Sequence, residues 1–264
     1  MIVFSAGILF QKYIGVWWVK EKIWGYSSVT NAREEVQLEE IDKSKLMVAL
    51  AFGQSNSANF GNQLNTSVHN VYNYYQGNLY VAKDHMLGAD GRGGSVWPLL
   101  GDVLIDNKLF DSVIFATIGE SASAISRWSP PGDLYQRLVK TIKSLQKNGI
   151  SITHLLWHQG ETDAKQDTGK EQYIRHFVAM KNGIRALGIK APIYVSIASR
   201  YRDEPGDIKI RNAQNEIILK FPDVFSGPDT DQLGDAYRYD GTHFSSKGMK
   251  KAAVLWYQAI EENE

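Results

Sequence analysis

The chain contains no cysteine. That removes disulfide cross-links, thiolate nucleophiles and thiolate metal sites, so any chemistry must come from oxygen and nitrogen groups. It also lacks an excess of charge of either sign: 29 Lys and Arg balance 29 Asp and Glu. No long-range basic field exists to hold nucleic acid, and a neutral small molecule or a sugar is the expected partner. Internal repeats and low-complexity stretches are absent too, which excludes solenoids and fibres. What remains, 264 residues with 43% hydrophobic content, suffices for one globular domain with a substantial core.

The N-terminus departs from this pattern. Met1 to Val19 is apolar apart from small residues, Tyr13 and the Gln11-Lys12 pair. It approaches membrane-spanning length, and Trp17 and Trp18 followed by Lys20 and Lys22 resemble an interfacial anchor. Residues 1–26 are therefore read as a hydrophobic segment and candidate membrane anchor, the alternative being an arm packed on the protein, since Lys12 near the middle is costly in lipid. An anchor implies the cell envelope, at a membrane or its periplasmic face; a packed arm is compatible with the cytoplasm. Residues 27–45 are polar and charged and read as a linker, and the main domain is expected over 46–264.

Short β-branched runs at Leu46–Phe52, Ser112–Ile118, Ile152–Trp157 and Pro192–Ala198 read as buried strands. Between and after them, helical patterns occupy Trp97–Asn107, Leu134–Lys147, Tyr173–Leu187, Ile208–Lys220 and Ser246–Glu261. This alternation predicts an α/β fold, a mainly parallel open sheet with helices on both faces. Ligands of such sheets bind beyond the carboxyl ends of the strands.

Polar blocks stand at those ends: Gly53-Gln54-Ser55-Asn56 after the first run, Gly119-Glu120-Ser121-Ala122-Ser123 after the second, His158-Gln159-Gly160-Glu161 after the third. Asp240-Gly241-Thr242-His243 precedes the last helix. A serine hydroxyl becomes a nucleophile when a base takes its proton, and a carboxylate that orients the base improves it. Ser55, His243 and Asp240 supply these parts. Each also has a plain structural reading: Ser55 as a helix cap, Asp240-Gly241 as a turn, His243 as a surface histidine. His154, His158 and Glu161 would suggest zinc on a helix, but their segment reads as a strand, which does not gather them.

Together the blocks resemble those of the SGNH/GDSL hydrolase superfamily, and GQSN, HQGE and DGTH are most similar to its branch of sialate O-acetylesterases and family six carbohydrate esterases. The resemblance spans about Leu46 to Trp256. It implies a three-layer α/β/α sandwich, Ser55 as nucleophile, His243 as general base with Asp240, and neither metal nor cofactor. It further implies an oxyanion hole formed by the Ser55 N–H, the Gln159 side chain and a second-block donor. That donor is Ala122, although the family's glycine pair is missing there, or Gly119 if the register shifts. Gln54, Asn56, His158, Glu161 and Arg127 are candidate substrate contacts; for Arg127 the alternative is a salt bridge, and for His158 and Glu161 a shell that positions Gln159 or a purely structural hydrogen-bond role. Tyr72, Tyr74, Tyr75 and Tyr80 crowd what reads as a loop on which sugar rings could stack. The implied activity is removal of O-acetyl groups from a carbohydrate through a Ser55 acyl-enzyme. Alternatives are acetyl transfer to a polysaccharide at the same site and a non-catalytic glycan-binding protein.

Overall fold

The computed structural model describes Thr30, residues 33–202 and residues 204–264. The hydrophobic segment 1–26 lies outside the described residues, and among these no helix is long and apolar enough to cross a membrane.

One eight-stranded sheet organises the chain, in the spatial order β1-β4-β3-β5-β2-β6-β7-β8. The central strand β2 (Leu46–Gly53) lies between β5 (Ser112–Thr117) and β6 (His154–His158), parallel to both. Outward from β6 come β7 (Ile193–Ile197) and β8 (Val224–Asp229), also parallel. Beyond β5 lies β3 (Val71–Tyr75), parallel to it; the antiparallel pairs are β3 with β4 (Asn78–Val81), and β4 with β1 (Glu35–Val36).

Alternation along β2 shows why both faces of the sheet must be covered. Val48, Leu50 and Phe52 enter one core; Met47, Ala49 and Ala51 enter the other. Helices α2 (Asp133–Lys147), α4 (Lys170–Ala186) and α5 (Ile208–Lys220) close the first through residues such as Leu138, Phe177 and Ile217. Helices α1 (Trp97–Asp106) and α6 (Ser246–Glu261) close the second through Trp97, Leu104 and Trp256. Side chains of this size contribute about 1.5–3 kcal/mol each when fully buried. Asp207 accepts from Ile210 N at 2.9 Å to start α5, and Ser245 accepts from Gly248 N at 3.2 Å to start α6. A one-turn helix, α3 (Glu161–Lys165), follows β6.

The four predicted strands and five predicted helices are present with small shifts at their ends. Three features differ. The tyrosine-rich segment is a hairpin, β3–β4, turned by Gln76 (φ 51°) and Gly77 (φ 98°), both left-handed as a two-residue hairpin turn requires. Tyr74 and Tyr80 are buried in it, so they are packing residues rather than a sugar platform. Strand β8 carries Gly227 and Pro228, turn residues that an edge strand tolerates. Within the expected linker, Glu35–Val36 form β1, which pairs with β4, and Ile41 is buried in the first core.

Candidate active site

The order in which the chain adds strands reverses at β2, because the parallel strands β5 and β6 lie on opposite sides of it. The switch opens a crevice at the carboxyl end of β2, where the first, second and third blocks converge. Gly53 ends β2 at φ +133°, and a Cβ there would stand 2.1 Å from the His158 carbonyl oxygen. Only glycine lets the chain turn this close to β6. Ser55 then opens a 3₁₀ turn, Ser55–Ser57, and is 4% exposed.

Asp240 and His243 lie on the loop before α6. His243 Nδ1 is 2.7 Å from Asp240 Oδ2, while Asp240 Oδ1 accepts from the backbone N–H groups of Thr242 and His243 at 2.9 and 2.7 Å. Partial burial raises the Asp240 pKa, but these hydrogen bonds outweigh it and hold the carboxyl below its ordinary range. An ionised Asp240 fixes the His243 proton on Nδ1 and leaves Nε2 as base. Phe60 and Tyr239 both stack on the imidazole, at centroid distances of 5.2 and 6.1 Å. Sequence reasoning missed both; Tyr239, beside Asp240, carried the only local signal.

The loop meets the Ser55 turn through Asn56, whose Nδ2 donates to the Thr242 carbonyl at 3.2 Å. Among the described residues the Ser55 hydroxyl makes no hydrogen bond, to His243 or otherwise, and its backbone N–H has no acceptor. Catalytic hydrogen bonds commonly tighten only when substrate is present.

Beneath the site lies a polar network. Gln159 is fully buried, and its Nε2 donates to Asp163 Oδ2 at 2.5 Å and the Ser123 carbonyl at 3.0 Å, with Gln54 Oε1 at 3.4 Å. Its Oε1 accepts from Tyr173 at 3.1 Å, and Gln214 donates to its carbonyl at 2.9 Å. Both N–H bonds of the amide are spent, which corrects the expectation that Gln159 donates to an oxyanion. Gln54 is anchored by its oxygen: Oε1 accepts from Gly160 N and Thr162 N at 3.3 and 3.0 Å, closing the start of α3. Asp163 reaches the second block, accepting from Ile125 N at 2.8 Å. Neither Asp163 nor Gln214 was singled out from sequence, since nothing local marks a partner dozens of residues away.

In the second block Ala122 takes φ +51°, the left-handed conformation that glycine would ordinarily supply, and it is exposed. Its N–H donates to no described residue. Gly119 instead packs tightly on Ser57, where a Cβ would stand 2.6 Å from Oγ, so it serves close approach. Arg127 forms a two-pronged salt bridge to Asp133 at 3.0 and 2.6 Å, the alternative to its reading as a substrate contact.

His158 is fully buried. Thr230 Oγ1 donates to the Ile197 carbonyl and so accepts from His158 Nε2, at 3.1 Å in each case, leaving Nδ1 unpartnered among the described residues. Burial, with Arg238 adding to it, lowers its pKa to about 3, so it stays neutral. Glu161 is 2% exposed; Oε1 accepts from Asn56 Nδ2 at 2.8 Å, and Oε2 has no partner among the described residues. Burial pushes its pKa up to about 7 against the opposing pull of Asn56 and Arg238. His158 and Glu161 are thus enclosed, in keeping with the structural role open to them, while Asn56 spends its Nδ2 on Glu161 and Thr242. Among the described residues no group of three or more acidic or histidine side chains is placed to hold a metal.

A family model described as carbohydrate esterase, sialic acid-specific acetylesterase matches residues 105–262. That span contains the second, third and fourth blocks and begins after Ser55. A probable carbohydrate esterase of Arabidopsis thaliana is 28% identical over 167 residues. The alignment spans 60% of this chain and 60% of that relative. The crystal structure of the same Arabidopsis protein superposes with a TM-score of 0.65 at 19% identity, covering 83% of this chain and 99% of that one. A carbohydrate acetylesterase from Xanthomonas citri gives 0.54 at 19% identity over 82% of this chain and 56% of that one. The structure of NanS gives 0.55 at 15% identity over 84% and 98%. These structural likenesses show the fold: a three-layer α/β/α sandwich.

Proposed function

Because the chain belongs to the sialic acid-specific acetylesterase family of carbohydrate esterases, we propose that it hydrolyses O-acetyl esters on a carbohydrate, with Ser55 as nucleophile and His243 and Asp240 as its base pair. The observation that carries this reading is the Asp240–His243 pair, bonded at 2.7 Å and joined through Thr242 and Asn56 to the Ser55 turn at the carboxyl end of the central strand.

In the first half-reaction His243 Nε2 takes the Ser55 proton as Oγ attacks the acetyl carbonyl carbon. The oxyanion is met by the N–H groups of Ser55 and Ala122, neither of which donates to a described residue. The intermediate collapses, the sugar oxygen leaves with the proton from His243, and acetate stays on Oγ. Water, deprotonated by the same histidine, then attacks the acyl-enzyme and releases acetate.

A cavity of about 240 Å³ adjoins the Asp240–His243 loop, lined by Lys165, Ser199, Tyr201, Glu204 and Asp207 among others. Arg202 N donates to Thr242 Oγ1 at 3.2 Å, and the Arg202 guanidinium and Lys165 ammonium lie 5.3 and 5.0 Å from the Tyr201 ring centre. An aromatic face among polar groups suits a sugar ring and its hydroxyls, and favours a carbohydrate as the alcohol portion.

The test is acetate release from nitrophenyl acetate and from an O-acetylated glycan by the wild type and Ser55→Ala. Loss of both activities in the variant, with covalent labelling of the wild type by a fluorophosphonate, is expected. Equal rates in the two proteins would reject Ser55 as nucleophile.

A further inference from the structure

Glu161 is a carboxylate enclosed in the protein with only half of its accepting capacity used. It does not serve the histidine, since His243 Nδ1 is already taken by Asp240. Among the described residues its one side-chain partner is the amide of Asn56, the residue after the proposed nucleophile. The same Nδ2 reaches the carbonyl of Thr242, the residue before the proposed base. Glu161, Asn56 and Thr242 thus form a chain of contacts from the third block, through the first, to the fourth.

We propose that Glu161 is a positioning residue that orients the Asn56 amide, and through it sets the placement of the Asp240–His243 loop relative to Ser55. The inference rests on the assignment of Ser55 and His243 made above. Three properties support it. Glu161 Oε1 accepts from Asn56 in either protonation state, the proton of the neutral form sitting on the unpartnered Oε2, so it forces Asn56 to present its NH2 group, which is the group the Thr242 carbonyl needs. An amide at position 161 could present either end. Second, the Thr242 carbonyl also receives the buried guanidinium of Arg238, which donates besides to the carbonyls of Leu233 and Thr230. The loop is therefore held from both sides, from the Ser55 turn by Asn56 and from its own base by Arg238. Third, an unpartnered buried carboxylate oxygen is costly, so a role in stability alone would be better served by an uncharged side chain. The elevated pKa of Glu161, raised by burial and by Asp231 and lowered by Asn56 and Arg238, is consistent with that cost.

A misplacement of about 1 Å between nucleophile and base is enough to cost around a hundredfold in rate. The loss should therefore appear in kcat, because Glu161 lies below the surface that substrate touches. The experiment is a double-mutant cycle on nitrophenyl acetate hydrolysis with Glu161→Ala, Asn56→Ala and the double variant, plus Glu161→Gln. Ser55→Ala is measured in parallel.

We expect Glu161→Ala to lower kcat at least tenfold with KM within about twofold, in step with slower fluorophosphonate labelling of Ser55. The double variant should be no slower than Asn56→Ala alone, and Glu161→Gln should recover part of the rate. Should Glu161→Ala not fold, the cycle is run with the nearly isosteric Glu161→Gln, whose smaller loss should vanish in the Asn56→Ala background. A wild-type kcat in both Glu161 variants, or losses that multiply in the double variant, would overturn the inference. Activity retained in Ser55→Ala would instead overturn the assignment on which it rests, and the two failures are thereby told apart.

Discussion

His243 and Asp240 exchange more than one hydrogen bond: while the side chains meet at 2.7 Å, the other oxygen of Asp240 holds the backbone N–H of His243 itself, also at 2.7 Å. The carboxylate therefore fixes both the ring and the backbone that carries it. Asp240→Asn keeps the size of the group but loses the charge and can present NH2 to Nδ1, favouring the wrong tautomer. The expected result is a kcat lower by roughly 10²–10⁴-fold with the fold intact, read by steady-state kinetics and circular dichroism. A loss below about threefold would show that Asp240 only shapes the turn.

Gln159 separates a structural from a catalytic role. Its amide joins Asp163, Ser123 and Tyr173 in a buried network, so Gln159→Ala should destabilise the protein by about 2–4 kcal/mol, lowering Tm by roughly 5–15 °C. An unchanged Tm together with a kcat drop of 10²–10³-fold is the signature of a lost oxyanion donor and would contradict the network assignment.

Stability should depend on pH through two buried groups of opposite effect. Folded Glu161 keeps its proton up to about pH 7, whereas unfolded it loses it near the ordinary value of 4.5. Between these limits the folded chain holds more protons, so this contribution is complete below pH 4.5 and is lost as pH rises to 7, on the order of 3 kcal/mol at most. Folded His158 resists protonation down to about pH 3 against an ordinary 6.5, so its contribution is present above pH 6.5 and is lost as pH falls. Glu161→Gln removes only the first. The unfolding free energy of wild type relative to Glu161→Gln, from urea titrations at pH 5 and pH 7.5, should fall across that interval; a constant difference would contradict the elevated pKa.

At position 122 the left-handed backbone sets the order of tolerated residues. Glycine adopts φ +51° without strain, alanine at moderate cost, and a β-branched residue only with displacement of the turn. The rate order Gly at least equal to Ala, and both above Val by about tenfold, is expected if the Ala122 N–H serves the oxyanion. Equal rates in all three would remove it from that role.

Arg127 makes the opposite case. Its partner is Asp133, with about a third of each side chain exposed, a pairing worth at most about 1 kcal/mol. Arg127→Ala should leave KM for an acetylated glycan within about twofold. A tenfold rise would restore it to the substrate surface.

Much of the fold is legible in sequence because both faces of the parallel sheet are buried, which writes the inner strands as short runs such as Leu46–Phe52. The hairpin is hidden because its turn, Gln76-Gly77, has glutamine where the usual signal has asparagine or aspartate, and β8 because Gly227 and Pro228 suit its place at the edge. Within the site, Asp240 and His243 are readable from a three-residue spacing. The burial of Gln54, Asn56 and Gln159 is not, because their partners are contributed by α3, α4, α5 and the loop before α6, and polar satisfaction is a property of the assembled interior rather than of a motif.

The bonds radiating from Gln159 have a consequence for altering this protein. Through Gln54 they grip the turn that bears Ser55, through Ser123 and Asp163 the turn that bears Ala122, and through Tyr173 and Gln214 two helices. These elements are tied to shift together, so a substitution made from beneath should disturb the proposed nucleophile and oxyanion donors at once. On the proposed assignment, a change of preferred sugar is better made on the outer rim, in the loop around Tyr201, where residues can be exchanged while the network below keeps its shape.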